Sequence, residues 1–260
     1  MRALIDTMQG VDAGHLLHGQ QISVDRVRMR YATGTTALED VTLSVARGEF
    51  VAIVGPSGCG KSTLLRLAAG LERPTAGSVA LGTSSAAFIF QDPTLLPWRS
   101  VRKNVALLTQ LAKLPKDERE RRVDAAVEAV GLTAFAKQLP RALSGGMRMR
   151  VSLARALALE PEVMLLDEPF GALDELTRDE MQSQLLELHR RAEFTAMLVT
   201  HSVSEAVYLA DRVVVMSARP GRISGVVEVG LPRDRDAAIR FDPRFVARVS
   251  EVSALLHGRG

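Results

Sequence analysis

The stretch FVAIVGPSGCGKS, residues 50–62, decides how this chain is interpreted. Residues 50–54 form a continuous apolar run, which is typical of a strand buried on both faces of a parallel sheet. Glycine-rich residues 55–60 follow, and residues 62–69 then predict a helix that Gly70 ends. A strand, a glycine-rich loop and a helix in this order predict a backbone that curls around phosphate oxygens at the N-terminus of the helix.

The side chains of this loop have separate expected roles. Lys61 is expected to reach the β- and γ-phosphates of a nucleotide, and the Ser62 hydroxyl to coordinate Mg²⁺. The alternative is a glycine-rich turn with an exposed lysine, which the flanking strand and helix disfavour. The residues expected to bind the nucleotide here are Gly55, Pro56, Ser57, Gly58, Cys59, Gly60, Lys61, Ser62 and Thr63.

A second apolar run, residues 163–166, ends in two carboxylates, Asp167 and Glu168. We expect Asp167 to hold the Mg²⁺ shell, directly or through water, and Glu168 to act as general base on the attacking water. An acidic pair after a strand is otherwise often a solvated strand end. The phosphate loop elsewhere in the chain favours the catalytic interpretation.

The stretch LSGGM, residues 143–147, opens a predicted helix. Exposed N–H groups of Gly145 and Gly146 at the start of a helix would form another anion site. Taken alone, an ordinary Ser144 N-cap beside a flexible turn is the better interpretation.

Together with further motifs in order, these stretches resemble the ATP-binding subunit of an ABC transporter, and the resemblance covers residues 22–225. Ser144-Gly145-Gly146 is similar to the signature of that family, and residues 171–174, which end in Asp174, are similar to its D-loop. Three single residues also match: Tyr31 the adenine-stacking aromatic, Gln91 the Q-loop glutamine and His201 the switch histidine.

The chain departs from the family pattern at three places. Met147 replaces the usual glutamine of the signature, and Gly171 stands where serine is commoner. The segment from residue 77 to residue 91 is short for the family, and we expect residues 82–85 to close a tight hairpin there. None of these departures removes a catalytic group.

The resemblance implies a role for each matching residue. The ring of Tyr31 would lie on adenine, although an ordinary strand aromatic is the alternative. Gln91 would sense the γ-phosphate, and His201 would hydrogen bond it and orient Glu168. The implied catalytic residues are Lys61, Gln91, Glu168 and His201; the implied metal ligands are Ser62, Gln91 and Asp167; and the implied further ATP contacts are Tyr31, Ser144, Gly145, Gly146 and Asp174.

The resemblance also implies partners. Two copies would pair head to tail, so that Ser144-Gly145-Gly146 of one copy completes the ATP site of the other. The helical subdomain and the region after Gln91 would contact transmembrane permease subunits, with Trp98 as an interface anchor. Trp98 covering the core of its own subdomain is the alternative.

A narrower resemblance is to the ATPases of nitrate, sulfonate and taurine importers, through residues 95–101, 170–175, 201–211 and 217–223. The 59 residues after His201 leave no space for an added regulatory domain, which favours this type. A solute-binding protein would then be an indirect partner. The alternatives are a soluble ABC ATPase that is not coupled to transport, and an ordinary P-loop kinase or GTPase.

Composition agrees with a globular protein that binds no nucleic acid. The net charge is +3 and 47% of residues are hydrophobic, a composition that excludes collagen and a disulfide scaffold. Only 4% of residues are aromatic, which disfavours a stacking platform for single-stranded nucleic acid. A single cysteine, Cys59, fits a reducing compartment. With neither a secretory signal nor a spanning segment, the expected place is peripheral, at the cytoplasmic face of the cell membrane.

The sequence therefore predicts an α/β protein: a P-loop ABC ATPase core with an N-terminal antiparallel β region and an inserted helical subdomain. We expect a flexible arm over residues 1–21 and the ATPase domain over residues 22–232, with the helical subdomain at about residues 92–160. Residues 233–260 are expected to form a tail with a short helix.

Overall fold

Residues 19–258 form two sheets, a group of inserted helices and a C-terminal helix in the computed structural model of the chain, which describes these residues. The strands are β1 (Gln20–Arg30), β2 (Thr36–Ala46), β3 (Phe50–Val54), β4 (Ala76–Leu81), β5 (Ala86–Ile89), β6 (Val163–Asp167), β7 (Thr195–Val199), β8 (Arg212–Met216) and β9 (Ile223–Glu228). The helices are α1 (Lys61–Ala68), α2 (Val101–Leu111), α3 (Lys116–Ala129), α4 (Gly145–Leu157), α5 (Glu175–Ala192), α6 (Val203–Leu209) and α7 (Pro243–Leu256), with short 3₁₀ turns at Thr133–Phe135, Pro140–Ala142 and Ala237–Phe241.

The central sheet has the strand order β5-β6-β7-β3-β8-β9. Its first five strands are parallel, and β9 pairs antiparallel with β8. A smaller antiparallel sheet has the order β2-β1-β4. Because parallel strands share a direction, the loops after β3, β6 and β7 all lie at one edge of the central sheet.

The two hydrophobic layers explain why β3 is apolar throughout. Phe50, Ala52 and Val54 pack in the layer that contains the inserted helices, whereas Val51 and Ile53 pack in the layer with α1 and the antiparallel sheet. A strand covered on both faces needs an apolar side chain at every position. In β1 and β2, by contrast, buried and exposed residues largely alternate, as in a sheet that faces water on one side.

The inserted helices α2, α3 and α4 pack against one another between β5 and β6 in the chain. On α3, Val123, Ala126 and Val127 are buried at helical spacing, while the charged residues of its first turns face solvent. These features confirm the predicted α/β fold with an N-terminal antiparallel β region and an inserted helical subdomain.

Two expectations need correction. Residues 82–85 do not close a hairpin, because β4 pairs with β1 in the antiparallel sheet and β5 pairs with β6 in the central sheet. This short segment therefore carries the chain from one sheet to the other. Of the arm expected over residues 1–21, Gln20 and Gln21 belong to β1, and residues 1–18 lie outside the described residues.

The C-terminal tail contains the expected helix, α7, over Pro243–Leu256. Asp242 caps it by accepting a hydrogen bond from the Arg244 N–H group at 2.8 Å, and Pro243 occupies its first position. In residues 19–258, none of the helices is both long enough and apolar enough to cross a membrane.

Candidate active site

The loop between β3 and α1 has the backbone that its glycines predict. Gly60 is the N-cap of α1 at φ 110°, a conformation that side chains other than glycine rarely adopt. A Cβ at Gly60 would lie 2.7 Å from Leu38 Cδ2 and 2.9 Å from the Ala37 carbonyl oxygen. The loop therefore packs directly on the start of β2, with its open side at the N-terminus of α1.

Lys61 lies within this loop and is only 5% exposed. Its ammonium donates to the carbonyl oxygen of Gly55 at 2.9 Å and to that of Pro56 at 3.0 Å. Two hydrogen bonds to the loop backbone place a fixed positive charge at the point where the sequence predicts phosphate.

The Ser62 hydroxyl donates to Asp167 Oδ1 at 2.7 Å and thereby joins the phosphate loop to the end of β6. Asp167 remains in the sheet because it pairs with Val199 of β7, which delivers its carboxylate to the same edge. A hydroxyl and a carboxylate side by side are the hard oxygen donors that Mg²⁺ prefers, and Mg²⁺ commonly takes one or two protein ligands in addition to phosphates and water. These residues therefore fit the metal that the sequence predicts.

Glu168 and His201 meet at this edge. His201 Nδ1 lies 3.2 Å from Glu168 Oε2, and the His201 side chain is 63% exposed. Glu168 has φ 45°, a left-handed conformation that costs about 1–2 kcal/mol for a residue with a side chain. Its backbone N–H group donates to the Val199 carbonyl oxygen at 2.9 Å, which fixes the turn in this conformation.

These elements surround one open pocket of about 510 Å³, a size typical of ligand sites. It includes nine of the residues expected to bind or process nucleotide, and two that were not expected, Ala37 and Arg219. The lining residues are Tyr31, Ala37, Ser57, Gly58, Gly60, Lys61, Ser62, Thr63, Glu168, His201 and Arg219.

Tyr31 is half-buried at the side of this pocket. Its hydroxyl lies 3.0 Å from Glu72 Oε2, to which it donates, and 3.1 Å from Thr63 Oγ1. A phenol has a single proton, so the Thr63 hydroxyl donates to the Tyr31 oxygen. These two bonds hold the Tyr31 ring next to the phosphate loop, where the sequence places the adenine contact.

Several expected residues support the pocket without lining it. The thiol of Cys59 is buried beneath the loop, where a Cβ at Gly55 would lie 2.9 Å from its sulfur. Gln91 is exposed after β5. A Cβ at Gly171 would lie 3.7 Å from Gln91 Nε2 and 3.8 Å from Glu168 Oε2, so this glycine separates the amide from the carboxylate.

The signature and D-loop residues lie outside the pocket lining of their own chain. Ser144 is the exposed N-cap of α4 and accepts a hydrogen bond from the Met147 N–H group at 3.2 Å. Asp174 caps α5 by accepting from the Thr177 N–H group at 3.0 Å, and the Thr177 backbone and hydroxyl hold the pKa of Asp174 below its usual value. Met147 packs partly buried against the core, which accounts for an apolar residue at that position.

Arg219 lines the pocket and was not among the residues expected there from the sequence. Its Nε and Nη2 atoms donate to the Gly58 carbonyl oxygen at 3.1 and 2.8 Å, and the residue lines the pocket. Residues 217–223 were noted only as a mark of a transporter type. The sequence could have indicated this position. Arg219 is the third residue after β8, and because β8 is a parallel neighbour of β3, the residues that follow the two strands lie at the same edge of the sheet.

Comparisons with known protein sequences agree with this geometry. The ABC transporter family matches residues 38–171. The aliphatic sulfonates import ATP-binding protein SsuB 2 of Pseudomonas syringae is 46% identical over 232 residues, which cover 89% of this chain and 97% of that protein. The nitrate import ATP-binding protein NrtD of Synechococcus elongatus is 44% identical over 235 residues, covering 86% of this chain and 85% of its own.

Solved structures agree as well. CbiO1 from Clostridium perfringens, part of the ABC transporter complex cbiONQ, has a TM-score of 0.76 at 29% identity and covers 89% of this chain and 94% of its own. The dimeric bacterial ABC transporter cassette MJ0796 has a TM-score of 0.70 at 31% identity and covers 81% of this chain and 100% of its own. The resemblance found in the sequence is thus confirmed, and the chain belongs to the ABC transporter family as one of its ATP-binding, ATP-hydrolysing cassettes.

Proposed function

We propose that this chain is the ATPase subunit of an importer for nitrate, sulfonates or taurine, attached to permease subunits at the cytoplasmic face of the membrane. A solute-binding protein would deliver the solute to the permease. ATP hydrolysis is supported by one observation: Lys61, the Ser62–Asp167 pair and the Glu168–His201 pair lie together at the edge of one pocket. The names and the high identity of the sulfonate and nitrate import relatives support the importer type.

Each side chain has a task in this mechanism. Lys61 binds the β- and γ-phosphates, and Ser62 with Asp167 would hold Mg²⁺, which when bound would neutralise phosphate charge. Glu168 accepts the proton of the attacking water, and His201, 3.2 Å from its carboxylate, orients it. Gln91, across Gly171 from Glu168, is placed to position the same water.

The site is proposed to be complete only in a pair of chains. Ser144 and Gly145 are exposed and lie outside the lining of the pocket that contains Lys61. In a head-to-tail pair, the N-terminus of α4 from one chain would bring Ser144, Gly145 and Gly146, and the D-loop would bring Asp174, to the ATP of the other chain. The dimeric cassette among the similar structures supports such pairing.

Trp98 is proposed to contact the permease. Its side chain is 73% exposed, so the alternative that it covers the core of its own subdomain is wrong. The fully buried Asn104 fixes the backbone around it: Asn104 Oδ1 accepts from the Leu96 N–H group at 2.8 Å, and Nδ2 donates to the Arg99 carbonyl oxygen at 2.8 Å. A large aromatic presented on a rigid loop is typical of an interface anchor.

Replacing Glu168 with glutamine tests the catalytic assignment. Mg-ATP binding should remain close to wild type while hydrolysis falls by about 10²–10⁴, the usual contribution of a positioned base. Glu162→Gln is the matched control, because Glu162 lies just before the same strand and pairs with Arg47 at the surface. Hydrolysis that falls equally in both variants, or in neither, would contradict the assignment.

Mixing two inactive variants tests the head-to-tail pairing. Lys61→Ala damages the site of its own chain, and Ser144→Arg damages the site of the partner. A mixed pair then retains one intact site, formed by Lys61 of the second variant and Ser144 of the first. ATP hydrolysis that returns only in the mixture supports the pairing. No gain over the separate variants would refute it.

Uptake tests the importer type. A strain that lacks this protein should lose uptake of nitrate, an alkanesulfonate or taurine and regain it with the wild-type chain, but not with the Glu168→Gln variant. Recovery of membrane permease subunits with the tagged chain should accompany this. Normal uptake of all three solutes, with purification of a complex free of membrane proteins, would favour a soluble ABC ATPase instead.

A further inference from the structure

The loop that joins β8 to β9, residues 217–222, packs on the phosphate loop. Gly221 donates to the Ala37 carbonyl oxygen at 2.9 Å and accepts from the Glu39 N–H group at 3.0 Å, which attaches the loop to β2. A Cβ at Gly221 would overlap the carbonyl oxygen of Cys59, so the two backbones are in direct contact. The Ser217 hydroxyl, which accepts from the Arg222 N–H group at 3.1 Å, closes the loop on itself.

From this loop the Arg219 side chain reaches Gly58. Two of its nitrogens, Nε and Nη2, donate to one acceptor, the Gly58 carbonyl oxygen, at 3.1 and 2.8 Å. Gly58 has φ 72° and so has the left-handed backbone that the curl of the phosphate loop needs. A doubled, charge-assisted hydrogen bond fixes both the position and the orientation of this peptide group.

The contact also has an electrostatic consequence. The Gly58 carbonyl and the Cys59 N–H belong to one peptide group, and a cation at the carbonyl end polarises that group. The Cys59 N–H, which donates to the Pro56 carbonyl oxygen at 3.3 Å, thereby becomes a stronger donor within the loop. Arg219 forms no ion pair with a carboxylate of the described residues, because its only hydrogen bonds go to Gly58. Arg219 is exposed, so its charge reaches the pocket that it lines together with Lys61 but is weakened by solvent.

We propose that Arg219 is a further positioning residue of the nucleotide site: it locks the phosphate loop through Gly58 and adds a second positive charge beside bound phosphates. This inference rests on the proposed function of the pocket as the Mg-ATP site. Among the described residues, the hydrogen bonds of Arg219 go to Gly58 and not to Glu168 or His201, so its effect falls on nucleotide affinity more than on the chemical step.

The test measures Mg-ATP affinity, KM and kcat for the wild type and for Arg219→Met, which keeps an unbranched stem and removes the donors and the charge. We expect Kd and KM to rise about fivefold to tenfold, with a smaller change in kcat. This is less than the full worth of a charge-assisted hydrogen bond, because Arg219 is exposed and bonds to the loop instead of the nucleotide. Arg219→Lys should recover part of the affinity, because it restores the charge without the paired donors.

Arg222→Met is the matched control. Arg222 belongs to the same loop, pairs with Glu39 at 2.6 Å and does not line the pocket. It should change Kd by less than about twofold. An equal rise in Kd for Arg219→Met and Arg222→Met would overturn the proposal, because the loop would then act only through its stability.

Wild-type affinity in Arg219→Met would overturn the proposal too. If Arg219→Met does not fold, Arg219→Lys decides: reduced affinity in a protein with wild-type melting temperature supports the proposal, and unchanged affinity refutes it. A wild-type chain that does not bind Mg-ATP would instead refute the proposed function of the pocket, so the two failures are distinguishable.

Discussion

Replacing Gly146 with alanine should destabilise the protein, because the start of α4 packs on the start of α5 without space for a side chain. Gly146 is buried, and a Cβ there would overlap the Cγ2 methyl of Thr177. Thr177 cannot rotate away freely. Its side chain is β-branched, and its hydroxyl is hydrogen bonded to Asp174.

The size of the effect follows from two opposing contributions. Adding a methyl group to a packed contact costs about 1–3 kcal/mol, and alanine gains up to about 1 kcal/mol over glycine in a helix. We therefore expect Gly146→Ala to lower the free energy of unfolding by about 1–2 kcal/mol. Thr177→Ser removes only the overlapping methyl, since the next Thr177 atoms lie 3.7 and 4.0 Å from the added Cβ. The double variant should recover about 1–2 kcal/mol.

Urea unfolding of the two single variants and the double variant measures this coupling. Gly145→Ala is the matched control, because its Cβ would meet only Leu173 Cδ2, at 3.9 Å, an ordinary contact. It should leave the free energy of unfolding unchanged or raise it by up to about 1 kcal/mol, the gain of alanine over glycine in a helix. If Gly146→Ala is as stable as Gly145→Ala, or if Thr177→Ser restores nothing, the proposed packing between signature and D-loop is wrong.

Two further predictions concern Glu205 and Trp98. The pKa of Glu205 is raised to about 7, because the effect of burial exceeds the opposite effect of hydrogen bonds from Thr200 and Gln182. Between pH 4.5, the ordinary pKa, and pH 7, the folded protein therefore keeps a proton that the unfolded chain releases. The free energy of unfolding should therefore fall by about 3 kcal/mol as pH rises from about 4.5 to 7. In urea unfolding of Glu205→Gln across this range, the fall should be absent. If the variant shows the same dependence on pH as the wild type, another group causes the fall. Trp98→Ala should lower the free energy of unfolding by only about 1.5 kcal/mol or less, because about a quarter of the side chain is buried, while weakening capture of co-expressed permease about tenfold or more. A large loss of melting temperature with normal capture would contradict the anchor assignment.

The parts of the site that are local in sequence could be predicted. The apolar run Phe50–Val54 has the same bounds as β3, and the glycine-rich loop and α1 follow it as expected. The end of β6 was expected to carry the carboxylates, and Asp167 is its last residue, where it pairs with Val199 of β7. A single strand's own sequence does not reveal that partner.

The missed features all depend on distant partners. Residues 82–85 have the composition of a hairpin turn, but the strands on either side of them do not pair with each other. β4 pairs with β1 and β5 pairs with β6, which are both far away in sequence. Arg219 looks like a surface residue of a turn until β8 is placed beside β3. Hydrophobic periodicity predicts which face is buried, but the pairing order of strands decides which loops meet.

The same dependence on distant partners links the two halves of the proposed composite site. After Glu168, the chain makes tight turns in which the Gly171 N–H donates to the Glu168 carbonyl oxygen at 3.2 Å, and it then enters α5 at its Asp174 cap. Thr177, one turn later, fills the space beside Gly146. In the proposed head-to-tail pair, Glu168 acts on the ATP of its own chain, while the signature, which includes Gly146, completes the site of the partner. The ten residues from Glu168 to Thr177 therefore form a short connection between the two proposed ATP sites, held at one end by the Glu168–Gly171 hydrogen bond and at the other by the contact between Thr177 and Gly146.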